Sequence, residues 1–300
     1  MSNDHDEHRE GFAHDLPQMQ AKGMVRRSFG RRGLLGLVGG GVAAATLAAC
    51  GSDGSTATSS ASASAGGPGG SGAGAPPGGV GGGSVSQSGV EDGDIPEETN
   101  GPYPADGTNG VNVLTESGIV RSDITKSFGA ATGVAAGVPL AVKLKVYNHS
   151  GSDLTPYAGA AVYIWHCDRD GNYSLYSDGI TEENYLRGVQ EVADDGTVEF
   201  TTIFPACYSG RWPHIHFEVY PSLDKATSAS GKLRTSQIAF PEDVCSEVYG
   251  KADGYSKSVT NLSQISLDSD NVFGDGHSLQ MATLTGSVDD GYSLELAVPV

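Results

Sequence analysis

One short stretch of the chain holds several residue types that bind metals or stabilise charge. It contains, in order, Tyr208, Arg211, His214 and His216. Residues 214–220 alternate as a strand does, and a strand turns every second side chain to the same face, so both imidazoles point the same way. Two imidazoles on one face can converge on one metal ion. The stretch therefore predicts a metal site, with a polar, solvent-facing strand as the alternative.

A second stretch lies upstream, where a strand-like segment runs into a glycine turn and then a tyrosine. It contains Asp168, Gly171 and Tyr173 in the order Asp-x-x-Gly-x-Tyr. Together with the Arg-x-x-His-x-His order of the first stretch, it resembles the intradiol ring-cleavage dioxygenases. The resemblance extends over most of residues 101–249 and includes Gly-Pro-Tyr at residues 101–103.

The resemblance implies a non-haem iron(III) site and an enzymatic reaction. Its metal ligands are Tyr173, Tyr208, His214 and His216, and Tyr208 is the axial tyrosinate that leaves the metal when substrate binds. Arg211 is implied to stabilise negative charge that develops on the aromatic ring. The implied reaction combines a catechol with O2 and cleaves the ring between its two hydroxyl-bearing carbons, giving a cis,cis-muconate.

These residue types suit a ferric ion. A free tyrosine has a pKa of about 10, but a bound, highly charged cation displaces the phenolic proton. Hard phenolate oxygens favour iron(III) over softer or less charged ions, and two phenolates with a hydroxide balance its charge. For Arg211, the alternative to a catalytic role is an ion pair with Glu218 or another carboxylate.

Two other kinds of metal site remain open. His216 and Glu218 could form a two-histidine, one-carboxylate iron(II) site with His277, although both tyrosines are then unused. A cupin is a further alternative, but the glycine and glutamate spacings do not match. The chain also departs from the well-known catechol and protocatechuate enzymes, because no long loop separates Tyr208 from His214. A different pocket rim is therefore expected.

Short alternating segments, separated by turn signals such as Asp-Gly, dominate the chain beyond residue 91. No convincing amphipathic helix interrupts them, which predicts an all-β domain at residues 91–300, a β-sandwich of mainly antiparallel strands. Residues 185–189 and 242–249 are expected to form short helices or loops. The predicted strands are residues 140–146, 160–166, 197–204, 214–220, 233–240, 281–286 and 292–298.

The predicted domain contains three cysteines. Outside the cytoplasm two of them could pair, and a Cys207–Cys245 disulfide is expected because Cys167 lies in an alternating strand, where a small buried thiol is common. Zinc is not expected, since no two of these cysteines have the close spacing of a structural zinc site.

The remaining histidines and tyrosines are expected to have structural roles. His166 is predicted to be a packed, hydrogen-bonded residue, with support of a metal ligand as the alternative. His149 and His277, in polar, turn-like surroundings, are predicted to lie at the surface. Tyrosines predicted to pack or to line the pocket are Tyr163, Tyr176 and Tyr185.

Residues 1–50 have the layout of a twin-arginine-type export signal. An arginine pair, Arg31-Arg32 or the earlier Arg26-Arg27, precedes a short apolar run. The run ends in Leu-Ala-Ala-Cys, which resembles the lipobox of bacterial lipoproteins, so Cys50 is the expected site of lipidation. An ordinary secretory signal with an incidental cysteine is the alternative. The expected location is the outer face of the cell membrane, or the surroundings of the cell.

Composition separates a linker from the domain and limits the partners. Residues 51–90 are almost wholly Gly, Ser, Ala, Pro and Thr, which predicts a flexible linker. The formal net charge of -18 argues against nucleic acid and anionic lipid as partners, because both would repel the protein. Membrane contact is expected only through Cys50. The alternative to an enzyme is a cell-surface β-sandwich that binds polysaccharide or a partner protein without catalysis.

Overall fold

The computed structural model describes residues 93–150 and 152–300 of the chain. The predicted export signal at residues 1–50, with its lipidation site Cys50, lies outside the described residues, as does the predicted linker at residues 51–90. Within the described ranges, none of the helices has the length and apolar character that a membrane span requires.

The described residues form nine strands and two short α-helices. The helices are α1 (Glu242–Lys251) and α2 (Ser256–Leu262). Single turns of 3-10 helix lie at Leu223–Lys225, Ala229–Gly231, Leu267–Ser269 and Phe273–Asp275. In chain order the strands are β1 (Pro139–Ser150), β2 (Asp153–Pro156), β3 (Ala161–Trp165), β4 (Arg187–Glu191), β5 (Thr197–Ile203), β6 (His214–Tyr220), β7 (Arg234–Ala239), β8 (Thr283–Ser287) and β9 (Gly291–Pro299).

The strands make two sheets. In the first, β1 lies parallel to β9 along one edge and antiparallel to β5 and β2 along the other, and β8 is antiparallel to β9. The second sheet has the order β4-β3-β6-β7, with all pairs antiparallel. The predicted all-β sandwich is therefore confirmed.

The hydrophobic core lies between the two sheets. Because side chains alternate along a strand, β1 sends one apolar row inward, from Leu140 to Val146, while its lysines face outward. From the second sheet, Val162 and Ile164 of β3 pack into the same core, together with Phe217 and the other apolar residues of β6. One face of the second sheet is thereby used for stability, and its other face is available for chemistry.

That other face is also buried, but polar. One row of paired residues crosses the sheet from strand to strand. In order it contains Arg187 of β4, Trp165 of β3, His216 of β6 and Gln237 of β7. The relative exposure of each of these residues is 2% or less. A buried row of this kind needs cover, and the chain segment from Asp94 to Asp106 is among the segments that contact these strands.

The predicted strands correspond to observed strands, with ends that differ by a few residues, but some elements differ in kind. Residues 187–191 form a strand, so the expectation of a helix or loop at residues 185–189 was wrong. Its sequence, Arg-Gly-Val-Gln-Glu, lacks an apolar alternation because the second sheet is polar on one face. The short exposed strand β2 and the helix α2 were not predicted, whereas residues 242–249 do form a helix.

Candidate metal centre

Loops at one end of the second sheet bring the predicted site residues together. β3 is antiparallel to β6, so the end of β3 lies beside the start of β6. Tyr173 follows β3, His214 and His216 begin β6, and Tyr208 and Arg211 lie in the connection from β5 to β6. All five predicted residues therefore meet at the same end of the second sheet.

The turn before Tyr173 is built as its sequence indicates. The Asp168 carboxylate accepts hydrogen bonds from two backbone amides of the turn, both at 2.9 Å. Gly171 has a φ of +90°, and a Cβ there would lie 3.1 Å from Cβ of Tyr208. Glycine is thus required twice, for the left-handed backbone and for the close approach of the two tyrosine-bearing loops.

Three donor atoms converge at this end of the sheet. Oη of Tyr208 lies 3.2 Å from Nε2 of His214, which lies 3.1 Å from Nε2 of His216. The ring of Tyr173 lies next to them, with its centre 6.0 Å from that of Tyr208 and 6.3 Å from that of His216. The two phenols and two imidazoles predicted as ligands are therefore neighbours.

The hydrogen bonds around these groups leave their lone pairs available. Nδ1 of His214 donates to the carbonyl of Trp212 at 2.5 Å, so its Nε2 carries the free lone pair. Oη of Tyr173 and Nδ1 of His216 are buried and have no hydrogen-bond partner among the described residues. Unpaired buried polar atoms are costly, and their clustering here marks a place prepared for a ligand.

Burial sets the ionisation of the four groups in the metal-free chain. It lowers the pKa of both histidines well below the ordinary value, and the positive charge of Arg211 lowers both further. It also raises the pKa of Tyr173 and Tyr208 well above the ordinary value for tyrosine, although Arg211 opposes this. The imidazoles are therefore ready to bind a cation, whereas the phenols need one in order to ionise.

The donor set fits a metal ion. Metal bonds to histidine nitrogen and to carboxylate oxygen are about 2.0–2.2 Å long, so two such donors at a right angle on one ion are about 3 Å apart. The observed separations are 3.1 and 3.2 Å. Among the described residues, no group of three or more His, Cys, Asp or Glu side chains could hold a metal. A site built on these histidines therefore needs the tyrosines.

Arg211 is held beside this cluster by a carboxylate and an amide. Its Nε donates to Oδ2 of Asp270 at 2.9 Å, and its Nη2 donates to Oε1 of Gln237 at 2.7 Å. Nη1 lies 3.5 Å from Nε2 of His214. Burial opposes the charge, but Asp270 raises the pKa of the guanidinium above its ordinary value. Arg211 thus has an ion pair, made with Asp270, and also reaches the cluster.

Asp270 and Gln237 are site residues that sequence reasoning missed. Besides Arg211, the Asp270 carboxylate accepts hydrogen bonds from the backbone amides of Trp212, Val272 and Phe273. No signal distinguishes it in a polar stretch that also contains Asp268. Gln237 lies in a segment that resembles the family, but its contact with Arg211 depends on strand register, which no short motif encodes.

The segment around residue 101 covers the cluster. Gly101 has a φ of +72°, and a Cβ there would lie 3.2 Å from Cε1 of His216, so this glycine rests on the imidazole. The His216 ring also stacks on Trp165, with ring centres 4.9 Å apart and an interplanar angle of 4°. Tyr103 packs on Tyr173, with ring centres 5.0 Å apart. The imidazole and the buried phenol are both held by aromatic or backbone contacts.

Glu218 faces the same way as the histidines but belongs to a different cluster. Its carboxylate accepts a hydrogen bond from Oη of Tyr220 at 2.6 Å and lies 3.3 Å from Nζ of Lys232. His277 instead contacts the carbonyl of Phe273 through Nδ1 at 3.1 Å. These contacts, and the lack of any His, Cys, Asp and Glu cluster among the described residues, exclude the iron(II) site of His216, Glu218 and His277.

The expected Cys207–Cys245 disulfide is not formed, which corrects the sequence prediction. Both residues are buried free thiols, as is Cys167. Sγ of Cys207 contacts the carbonyl of Arg211 at 3.5 Å, and both Cys207 and Cys245 belong to the main hydrophobic core. A small apolar side chain suffices for that packing, so the thiols act as core residues.

Of the remaining predictions, two are confirmed and one is wrong. His166 is buried, and its ring nitrogens contact the carbonyl of Cys167 at 2.8 Å and Oγ1 of Thr202 at 2.7 Å. Tyr163, Tyr176 and Tyr185 are packed, as expected. His149 was expected at the surface, but its side chain is largely buried, with Nδ1 2.6 Å from Oδ1 of Asp94.

Known proteins similar to this chain agree on one class. Residues 118–246 match the model of a family described as "Dioxygenase". A chlorocatechol 1,2-dioxygenase of Rhodococcus opacus is 43% identical over 54 residues, which cover 18% of this chain and 21% of that protein. A 6-chlorohydroxyquinol 1,2-dioxygenase of Cupriavidus pinatubonensis is 33% identical over 103 residues, covering 28% and 36%. The chain thus spans well under two thirds of these curated relatives.

A solved structure is similar over a larger part of its length. The intradiol ring-cleavage dioxygenase of Tetranychus urticae is 25% identical, and the likeness covers 68% of this chain and 93% of that one, with a TM-score of 0.54.

Proposed function

We propose that the chain is an iron(III)-dependent intradiol ring-cleavage dioxygenase, a proposal supported by the dioxygenase family match of residues 118–246 and by the similar solved structure. The proposed reaction uses O2 to open the ring of a catechol between its two hydroxyl-bearing carbons and yields a cis,cis-muconate-type diacid. One observation carries the proposal: Nε2 of His214 lies 3.2 Å from the phenol oxygen of Tyr208 and 3.1 Å from Nε2 of His216, beside a second buried phenol.

The proposed ligands of the ferric ion are Tyr173, Tyr208, His214 and His216. Hard phenolate oxygens and neutral imidazoles suit iron(III), and the unpaired Oη of Tyr173 would gain its missing partner. When bound, the ion supplies Lewis acidity toward the two catechol oxygens and so prepares the substrate for attack by O2.

Tyr208 is suited to accept a proton from the incoming substrate. Unlike Tyr173, it is partly exposed, and its Oη already hydrogen-bonds to a side chain of the cluster, His214. A phenolate at this position has a high proton affinity, because burial raises the pKa of Tyr208. A catechol hydroxyl that approaches from the open side can therefore pass its proton to Oη of Tyr208.

Arg211 is suited to stabilise charge that develops on the substrate ring. Its guanidinium is fixed by Asp270 and Gln237, so little reorganisation is needed when the negative charge forms. Removal of one such preorganised group typically costs about 2.7–4 kcal/mol of transition-state stabilisation. The two supporting side chains position the guanidinium and, among the described residues, make no hydrogen bond to the four proposed ligands.

An aerobic assay tests the proposal. Protein loaded with iron(III) is incubated with catechol, protocatechuate and hydroxyquinol, and oxygen uptake and products are measured. We expect uptake of one O2 per ring opened and a muconate-type diacid from at least one substrate. Aldehyde products would assign extradiol chemistry, and an absence of oxygen uptake with all three substrates would contradict the assignment. Retention of polysaccharide without oxygen uptake would favour the binding protein as the alternative.

We also propose that the enzyme acts outside the cytoplasm, anchored through lipid on Cys50. The support is sequence alone: arginine pairs before an apolar run, a lipobox-like end and a Gly-rich and Ser-rich linker. Replacement of Arg26, Arg27, Arg31 and Arg32 by Lys should retain the protein inside the cell. Cys50→Ser should release it from the membrane fraction. Normal export of the first variant, or unchanged membrane retention of the second, would contradict this location.

A further inference from the structure

Arg187 is a buried arginine to which the reaction proposed above assigns no role. It is the first residue of β4 and lies beside Trp165 in the register with β3. Its relative exposure is 1%, so the guanidinium has no access to bulk water. In the same row, one strand further, lies His216.

The guanidinium joins three separate pieces of chain. Nε donates to Oγ of Ser174 at 3.1 Å, and Nη2 donates to the carbonyl of Ser174 at 2.9 Å. Nη1 donates to the carbonyl of Pro104 and to Oη of Tyr163, both at 3.2 Å. The charge also lies over the ring of Tyr176, 5.4 Å from its centre.

All these acceptors are neutral. No carboxylate among the described residues lies within ion-pair distance of the Arg187 guanidinium. A buried cation without a counter-charge is expensive, and a neutral side chain would be cheaper for stability alone. The contacts suit arginine because its planar fork offers five donors in fixed directions, so that one side chain can serve several acceptors.

The pieces that Arg187 joins are those that hold the buried phenol. Ser174 directly follows Tyr173 in the chain. Pro104 directly follows Tyr103, whose ring packs on Tyr173 at 5.0 Å, and the same segment places Gly101 on the ring of His216. Tyr163 reinforces the link, because its Oη donates to the Pro104 carbonyl at 2.8 Å.

We propose that Arg187 is a positioning residue for the metal centre, which fixes the Tyr173 loop against residues 101–105. This inference rests on the proposed ferric site. Its consequence is that Tyr173, a buried phenol, keeps the orientation needed for coordination because Arg187 holds its flanking backbone. The role is distinct from that of Arg211, which contacts the donor cluster directly.

The test compares Arg187→Met and Arg187→Lys with a matched control, Arg121→Met. Arg121 also donates to neutral carbonyls of this region, at Arg187 and Asn184, and lies over an aromatic ring, but it contacts neither Ser174 nor Pro104. Each full-length protein is measured in three ways: ferric affinity by competition with a chelator, the visible spectrum of the iron-loaded form, and amide hydrogen exchange of the metal-free form.

We expect Arg187→Met to weaken ferric binding by up to about 10–100-fold, the range for loss of a hydrogen bond made directly to a metal ligand, because Arg187 acts on the backbone beside Tyr173. Its visible band should shift, and amides of residues 101–105 and 173–177 should exchange faster. Lys keeps the charge but reaches fewer acceptors, so Arg187→Lys should fall between Met and wild type. Arg121→Met should keep the wild-type affinity and band.

Other results would decide against a positioning role for Arg187 or against the ferric site itself. Wild-type affinity, band and exchange in Arg187→Met, or an equal loss of affinity in Arg121→Met, would overturn the proposal. If Arg187→Met does not fold, Arg187→Lys decides by the same criteria. If wild type itself binds no ferric ion, the proposed function fails, whereas the exchange measurement on metal-free protein still decides whether Arg187 fixes the two segments.

Discussion

The two ends of β6 place similar residues on the same face of the same strand, yet they do different things. At the first end, His214 and His216 direct their Nε2 atoms toward each other at 3.1 Å, next to the phenol of Tyr173, whose oxygen has no hydrogen-bond partner among the described residues. At the second end, the carboxylate of Glu218 is satisfied by Tyr220 and Lys232. Both ends are buried.

The difference lies in hydrogen-bond satisfaction, not in burial or residue type. A buried polar cluster whose groups satisfy one another stabilises the fold, or at least does not weaken it. A cluster that leaves a buried phenol oxygen, Oη of Tyr173, without a partner among the described residues is unfavourable until a cation enters. The histidine end of β6 is therefore the functional end, and the glutamate end is structural.

The largest expected effect is on metal binding, compared between a substitution at the histidine end of β6 and one at the glutamate end. His216→Ala should lose ferric iron, by more than the roughly 10–100-fold that removal of an outer partner costs. Glu218→Gln keeps the shape of the second end and should bind a full equivalent. Iron per protein, measured after gel filtration, distinguishes them. Equal iron content in the two variants would contradict the claim that only the histidine end of β6 binds the metal.

The next effect concerns the support of the histidine end. Asp270→Ala removes the buried partner of Arg211 and should lower the free energy of unfolding by about 3–5 kcal/mol, because an unpaired charge remains buried. Asp268→Ala, at an exposed residue two positions away, is the control and should change little. Denaturant titration of both variants measures this. A similar, small loss in both would mean that Asp270 does not anchor Arg211.

A smaller effect concerns the pH dependence at the glutamate end. Burial raises the pKa of Glu218 from 4.5 to about 7, so the fold favours its protonated form. The contribution of protonated Glu218 to the free energy of unfolding is therefore fully present below pH 4.5 and is lost as the pH rises through about 7.

Over that window the stability of wild type should fall with pH, relative to Glu218→Gln, by up to about 1.4 kcal/mol per pH unit. Denaturant titrations of both proteins at several pH values give the difference, and the exposed Glu199→Gln provides the control. Parallel curves for wild type and Glu218→Gln would show that Glu218 is not held protonated by the fold.

The smallest effect is expected on the apolar side of the second sheet. Because Cys245 is a free thiol, Cys245→Ala should cost only about 1 kcal/mol, as an ordinary small core substitution does. Loss of a disulfide would instead cost about 2–5 kcal/mol. Unfolding of wild type with and without a reducing agent should also coincide. A stability that falls sharply on reduction would restore the Cys207–Cys245 pairing.

The four candidate ligands were predicted from the resemblance to the intradiol ring-cleavage dioxygenases, which short sequence patterns carry. His214 and His216 share a face by strand period, and Tyr173 follows a turn that only glycine allows. The strands of the core were equally visible, since their apolar alternation is a local property.

The sequence does not reveal the long-range partners. Asp270 meets Arg211 across 59 positions, and Arg187 meets Pro104 across 83. Such contacts depend on register between strands and on loops that no local pattern specifies. The same limit explains why a strand with polar residues, β4, was mistaken for a helix or loop, and why a disulfide was expected between two thiols that only pack.

The visible spectrum of the iron-loaded protein tests the central claim most directly, because phenolate bound to iron(III) absorbs visible light by charge transfer. Tyr208→Phe should shift or weaken that band, whereas Tyr220→Phe, which removes a phenol from the glutamate end, should leave it unchanged. A colourless wild-type protein with one equivalent of ferric iron, or a band that Tyr208→Phe leaves untouched, would contradict a centre built from two phenols and two imidazoles.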